Sequence, residues 1–285
     1  MTDHPTLPAP RIDRRAALRR SAALLGGLAC LPAGAGPAGS TAAAEPTPPT
    51  HDMSAFPAHW HGSERISLLV YPGFTALDLV GPQYMLAGLM GAKLQLVAKT
   101  REPVRSDTGL VVVPDVSFED SFERPDILFV PGGGQGTLDA MRDARTVAYV
   151  RERGRAAGQQ VSVCTGSLLL GMAGLLKGRR ATSHWITHGV LADLGAQPVH
   201  ERVVADGPLL TGAGVSAGLD LGLALVAQRR DRLYAESLQL LAEYAPEPPF
   251  QAGRPDTAPP QARALMETMM RGLVAEMRSE ATRAQ

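Results

Sequence analysis

Cys164 closes a run of strand-forming residues, Val161-Ser162-Val163-Cys164, and is followed at once by Thr165-Gly166. A strand that passes into a helix at such a residue makes a tight strand–nucleophile–helix turn and lifts the side chain clear of the sheet. The turn also sets the sulfur at a helix N-terminus, where free N–H groups and the helix dipole favour thiolate over thiol. The sequence therefore predicts a thiolate nucleophile; the plainer alternative is a cysteine packed at a tight turn.

Two further segments could serve that sulfur. Pro131-Gly132-Gly133-Gly134-Gln135-Gly136 has little side-chain bulk, so its N–H groups can approach a ligand closely. Gly133 and Gly134, with the N–H of Thr165, are expected to form an oxyanion-type hole and to bind substrate. The Lys-Ser/Thr ending of a phosphate-binding loop is missing, and a purely structural glycine turn stays open. Asp78, in Leu77-Asp78-Leu79-Val80-Gly81-Pro82, has two readings: a helix N-cap, or a proton partner for Cys164. Buried among Leu77, Leu79 and Val80 its carboxyl would have a raised pKa, as a general acid requires; spacing alone does not choose. His184 and His188 fall four apart on an expected helix, but the Glu of a zinc-binding H-E-x-x-H is absent. No metal is expected there, and His184 is read as lining the cleft.

These residues need a frame. Ile66–Tyr71, Leu94–Ala98, Asp126–Val130 and Gln160–Val163 are short apolar runs suited to strands buried on both faces. Helical spacing fits 78–90, 138–157, 165–176, 184–194 and 215–227, with hairpins over 103–114 and over 199–210, the latter turning at Asp206-Gly207. Strands alternating with helices imply a mostly parallel sheet covered on both faces, with ligands beyond the carboxyl ends of the strands. Pro72–Asp78, Pro131–Gly134 and Cys164–Gly166 all fall at such ends, so one site is expected. Residues 45–64, rich in Pro, Thr and His, read as a flexible linker in which His59-Trp60-His61 is solvated. Residues 251–285 read as an extension ending in an amphipathic helix, whose Ala262, Leu265, Met266, Met269 and Leu273 are expected to pack on the domain or on a partner.

The chain has 285 residues, 45% of them apolar and 20% charged, a globular composition large enough for a sizeable core. No apolar run approaches the roughly 20 residues of a membrane-spanning helix. Residues 1–44 hold five basic residues and two acidic ones; taking these from the chain's 28 and 28 leaves 23 basic and 26 acidic. That balance gives no electrostatic footprint for nucleic acid. Arg14-Arg15, followed by an apolar stretch from Ser21 to Leu31 and by Ala42-Ala43-Ala44, reads as a twin-arginine-type signal peptide over 1–44. A periplasmic protein is expected, a cytoplasmic one with an unstructured leader being the alternative. Cleavage after Ala44 would remove Cys30 and leave Cys164 alone, unable to form an internal disulfide.

Taken together, Leu77–Pro82, Pro131–Gly134, Val163–Gly166, Arg180–Trp185 and Gly212–Asp220 resemble the ThiJ/PfpI family of the class I glutamine amidotransferase-like superfamily, and most closely its isonitrile hydratase branch. The likeness runs from about 65 to 250. It implies a flavodoxin-like three-layer α/β sandwich, a homodimer and no obligatory cofactor, with Cys164 and Asp78 catalytic and Thr165 assisting. It implies hydration of an isonitrile to an N-substituted formamide through a cysteine thioimidate. Peptidase and glyoxalase-type relatives carry His directly after the cysteine, where this chain has Thr165. The alternatives are another cysteine-dependent small-carbonyl hydrolase or deglycase-like enzyme, or a periplasmic binding or redox-sensing protein. Regulators of this branch carry a helix-turn-helix module, a pattern not seen in this sequence, and the export signal departs from cytoplasmic relatives.

Overall fold

The computed structural model describes residues 56–284; the expected leader over 1–44 and the first part of the expected linker lie outside them. Seven strands form one sheet: β1 (Arg65–Leu69), β2 (Lys93–Ala98), β3 (Val116–Ser117), β4 (Ile127–Val130), β5 (Gln159–Val163), β6 (Val203–Asp206) and β7 (Leu209–Gly212). Their order is β6-β7-β5-β4-β1-β2-β3. All neighbours run parallel except β6, which folds back on β7 about the turn at Asp206-Gly207. All four residues of β4, and Val161, Ser162 and Val163 of β5, are buried, as central strands covered on both faces should be.

Helices cover both faces. Helix α1 (Ala76–Ala87) packs on α5 (Ala217–Arg229), which also meets α6 (Arg232–Leu241). On the other side lie α2 (Gly134–Arg142), α3 (Ala144–Ala156), α4 (Gly166–Met172) and the C-terminal helix α7 (Pro260–Arg283). The fold is the mostly parallel, flavodoxin-like α/β sandwich expected from the alternation of strands and helices. Central strands β1, β4 and β5 are neighbours, and from β1 the chain runs to the β2 side before returning to β4 on the other. That reversal is where an α/β sheet opens a crevice.

Several elements differ from expectation, each for a local reason. The helix expected over 138–157 is two helices. Between them, Asp143 adopts an extended backbone and its side chain accepts from Arg145 N (3.3 Å) and Thr146 Oγ1, restarting the helix as an N-cap. The segment 184–194 is a single turn at Trp185–Thr187 and a short helix at Val190–Asp193, so His184 and His188 do not share a helix face. His188 Nε2 donates to Val199 O (3.0 Å), and the ring stacks on His200, with ring centroids 3.7 Å apart. Among the described residues no group of three metal-binding side chains converges. None of the described helices is long and apolar enough to cross a membrane.

The ends of the domain also differ. Trp60, expected to be solvated, is buried; its Nε1 donates to Asp231 Oδ2 (2.8 Å) and its ring meets Tyr234 edge-on. Arg230 ties the same segment down, donating to Trp60 O (2.6 Å), Met90 O and the Glu64 carboxylate (each 2.9 Å). At the other end only the second half of α7 is anchored, by buried Met277 and Ala281 and by Arg142 bridging Glu276 and Glu280. Leu265, Met266 and Met269 are not covered by this domain, while Leu273 is partly covered. Trp60→Ala removes a large buried ring and the polar contact it carries. It should destabilise the protein by about 3 kcal/mol, read from urea unfolding of the two proteins under matched conditions.

Candidate active site

Strand β5 delivers Cys164 to the turn before α4, and Cys164 takes a left-handed φ of 57°. A non-glycine residue pays strain to sit there, so surrounding bonds must hold it. Its N–H is offered to both Gly212 O (3.1 Å) and Ala213 O (3.0 Å) at the end of β7. Its carbonyl accepts from Ser167 Oγ (3.2 Å) and Ser183 Oγ (3.0 Å). Gly166 follows because a Cβ there would overlap Val130 O, and only then can α4 begin close against the end of β4. The elbow expected from the sequence is therefore formed, and Cys164 at its tip is 5% exposed.

Asp78 reaches the same place from the first turn of α1 and is fully buried. It does not cap the helix. That role falls to Asp107, whose carboxylate accepts from Thr75 Oγ1 (2.6 Å) and Ala76 N (3.3 Å). Asp78 Oδ2 instead accepts from Gly132 N (3.0 Å), while Oδ1 is buried without a partner of good hydrogen-bond geometry. Gly132 must lack a side chain, because a Cβ would stand 2.6 Å from Thr165 N and 2.8 Å from Asp78 Oδ2. Burial raises the Asp78 carboxyl to about 7, against the lowering effect of the Cys164 thiol and the Gly132 N–H; the Asp107 charge adds to the rise.

The thiol responds in the opposite sense to the sequence expectation. Burial and then the Asp78 charge push the Cys164 thiol well up, and the Thr165 N–H beside the sulfur only partly offsets this. A thiol with almost no water and a carboxylate neighbour holds its proton, whatever the helix start contributes. At neutral pH the pair thus carries a thiol next to a carboxyl poised near its midpoint.

The other expected site residues take different positions. Gly133 lies at the site, but its N–H donates to Thr165 Oγ1 (3.0 Å). Gly134 opens α2 with a φ of 44° and has open space where a Cβ would stand. His184 is half-buried, its ring lying against the Gly214 backbone, and burial lowers its pKa. Sequence reasoning missed Tyr71, Asp107, Thr137 and Ser183. None was recognisable for this role, although Tyr71 and Thr137 border segments already singled out and Ser183 lies within Arg180–Trp185; each acts on a group distant in sequence.

An α/β sandwich with a cysteine on a strand–helix elbow, beside a buried carboxyl and under a glycine-rich loop, is a well-defined class of site. Residues 64–228 match the DJ-1/PfpI family, and the chain belongs to it. The chain is 47% identical over 196 residues to isonitrile hydratase of Pseudomonas putida, which covers 68% of this chain and 85% of that protein. The crystal structure of a ThiJ/PfpI family protein from Pseudomonas syringae is similar, with a TM-score of 0.79 and 48% identity over 81% of this chain and 98% of that one. The HTH-type transcriptional regulator CdhR of Pseudomonas aeruginosa is 33% identical over 173 residues, 58% of this chain and 51% of the regulator.

The electrostatics of the pair can be read directly. In a Cys30→Ser background, ultraviolet absorbance of the Cys164 thiolate should titrate with a midpoint above the ~8.5 of a free cysteine. The Asp78→Asn variant, lacking the neighbouring negative charge, should titrate at lower pH than its parent.

Proposed function

We propose that the protein is an isonitrile hydratase-type lyase in which Cys164 is the nucleophile and Asp78 moves the proton. The observation that carries this reading is the thiol and a near-neutral carboxyl enclosed together, in a chain 47% identical to an isonitrile hydratase. An isonitrile, R–N≡C, needs a proton and a nucleophile at the same terminal carbon, and this pair supplies both from one side.

In the resting pair one proton is available to the thiol and Asp78. Asp78 takes the thiol proton and passes it to the isonitrile carbon as the sulfur bonds to that carbon, giving the thioimidate R–N=CH–S–Cys164. Asp78, again ionised, removes a proton from water as its oxygen adds to the same carbon, and passes that proton to the imine nitrogen. The C–S bond then breaks as Asp78 takes the hydroxyl proton of the adduct and hands it to the leaving sulfur, and R–NH–CHO departs. One water is consumed and the enzyme is regenerated. The Thr165 N–H, which faces the sulfur, steadies charge on it during attack and departure. Low polarity is an advantage here, since an uncharged substrate enters without losing strong hydration while the proton transfers stay shielded from bulk water.

Cys164→Ala and Asp78→Asn should each lower kcat/KM for a small alkyl isonitrile by about 10³-fold or more while the fold is retained, measured as formamide released. With wild type, kcat/KM should rise with pH through about 7 as Asp78 ionises to accept the thiol proton. Stability moves the other way. The folded carboxyl holds a proton that the unfolded chain releases near its ordinary 3.8, so wild type loses stability between about 4 and about 7. Asp78→Asn should lose less across that window. Normal turnover by Asp78→Asn would remove it from the mechanism.

We further propose export to the periplasm through the Arg14-Arg15 signal, which lies outside the described residues. Arg14→Lys/Arg15→Lys should leave full-length precursor in the cytoplasm, while the wild-type mature chain begins near Glu45 outside it. Uncleaved wild-type protein in the cytosol would contradict this.

A further inference from the structure

Behind the reacting pair lies a buried group of hydroxyls that the proposed chemistry does not use. Tyr71, Thr137 and Thr165 are respectively 4%, 0% and 4% exposed, so each polar atom must find its partner within the protein. Tyr71 Oη lies 2.7 Å from Pro131 O and 3.0 Å from Thr137 Oγ1. Thr137 Oγ1 lies 2.7 Å from Thr165 Oγ1, and Gly133 N donates to Thr165 Oγ1 at 3.0 Å.

A hydroxyl has one proton and two lone pairs, so the directions of these bonds can be assigned in turn. A backbone carbonyl only accepts, which commits the Tyr71 proton to Pro131 O. Thr137 must then donate to Tyr71 Oη, or two lone pairs would face each other. By the same argument Thr165 must donate to Thr137 Oγ1. The Gly133 N–H feeds the chain at its head, and Pro131 O closes it at its tail. Both ends belong to one loop, Pro131-Gly132-Gly133, and the Thr137 N–H adds a bond to Gly133 O (3.2 Å).

We infer that Tyr71 and Thr137 are positioning residues: their one-way hydrogen-bond ring clamps the Pro131–Gly133 loop and draws the Thr165 hydroxyl proton away from Cys164. Thr165 then serves the sulfur through its backbone N–H alone, and its side chain is an acceptor that holds Gly133. The clamp also sets Gly132, whose N–H lies between these two loop residues and meets Asp78 Oδ2. The inference rests on the reading of Cys164 and Asp78 as the reacting pair, but the direction of the ring can be tested without any substrate.

Thr137→Val removes the acceptor of the Thr165 proton, and Tyr71→Phe removes the acceptor of the Thr137 proton so that Thr137 can donate to Thr165 Oγ1 instead; either change leaves the Thr165 proton free to turn to the sulfur. The full chain in a Cys30→Ser background is titrated by thiolate absorbance. In either variant the Cys164 midpoint should fall by about half a unit or more, and Thr165→Val should not raise it. In the same proteins kcat/KM for a small alkyl isonitrile should fall on the order of tenfold as the loop loosens, mainly in kcat, with Thr137→Ser restoring wild-type behaviour. The opposite pattern, a higher midpoint in Thr165→Val with no change in Tyr71→Phe and Thr137→Val, would show the hydroxyl already donating to sulfur and would overturn the inference. Tyr71→Phe and Thr137→Val are independent routes to the same opening, so loss of folding in one leaves the other to decide. Wild type without isonitrile turnover, but with the predicted midpoint shifts, would reject the proposed function and keep the ring.

Discussion

The site depends on keeping a carboxyl and a thiol together where there is almost no water. Asp78 is fully buried, and its one well-formed hydrogen bond comes from the Gly132 N–H. A buried carboxylate needs more support than one donor, so the group rests near its midpoint, neither fully ionised nor permanently neutral. Everything around it serves that balance. β1 and β4 lie side by side, so their loops meet; Gly132 has no side chain, so the N–H can come within bonding distance. The start of α1 is capped by Asp107, so Asp78 is not drawn into capping.

Two electrostatic effects compete at Cys164, and their sizes decide its state. A helix start offers N–H groups and a partial positive charge, an effect that reaches about 1 kcal/mol at exposed sites. Burial beside a carboxylate works against ionisation, and in this pocket it is the larger effect. The sulfur therefore does not wait as a thiolate. In the proposed reaction it becomes a nucleophile as Asp78 takes its proton, which would join activation of the sulfur to delivery of the proton the substrate requires. The same coupling explains why the elbow must be rigid: a left-handed residue held at both its N–H and its carbonyl keeps the sulfur fixed while the proton moves.

The margins of the domain show how far packing, and not pattern, sets what is ordered. Trp60 lies in a stretch whose composition suggests a tether, yet its ring closes the junction of α5 and α6. The buried guanidinium of Arg230 then joins that segment to Glu64 and Met90. In α7 an apolar stripe runs nearly the whole helix, but the sandwich is only broad enough to cover its second half, where Met277 and Ala281 are buried.

The sequence by itself determined the sheet and most of its strands, because buried apolar runs separated by glycine and proline leave few other arrangements. It also determined the elbow: a strand ending on Cys164 with Gly166 behind it has no room for another geometry. The glycine loop at Pro131–Gly134 was legible for the same steric reason. What the sequence could not contain was pairwise. Whether Asp78 capped a helix or faced the thiol turned on Asp107, 29 positions further along, taking the cap. Whether His184 and His188 shared a face turned on how tightly the segment between β5 and β6 could coil. The protonation of Cys164, and the direction of the Tyr71–Thr137–Thr165 ring, depend on burial and on neighbours brought in by separate strands and helices. Those quantities exist only once the chain has closed around them, since solvent exclusion and hydrogen-bond direction belong to the assembled set of groups and to no single residue.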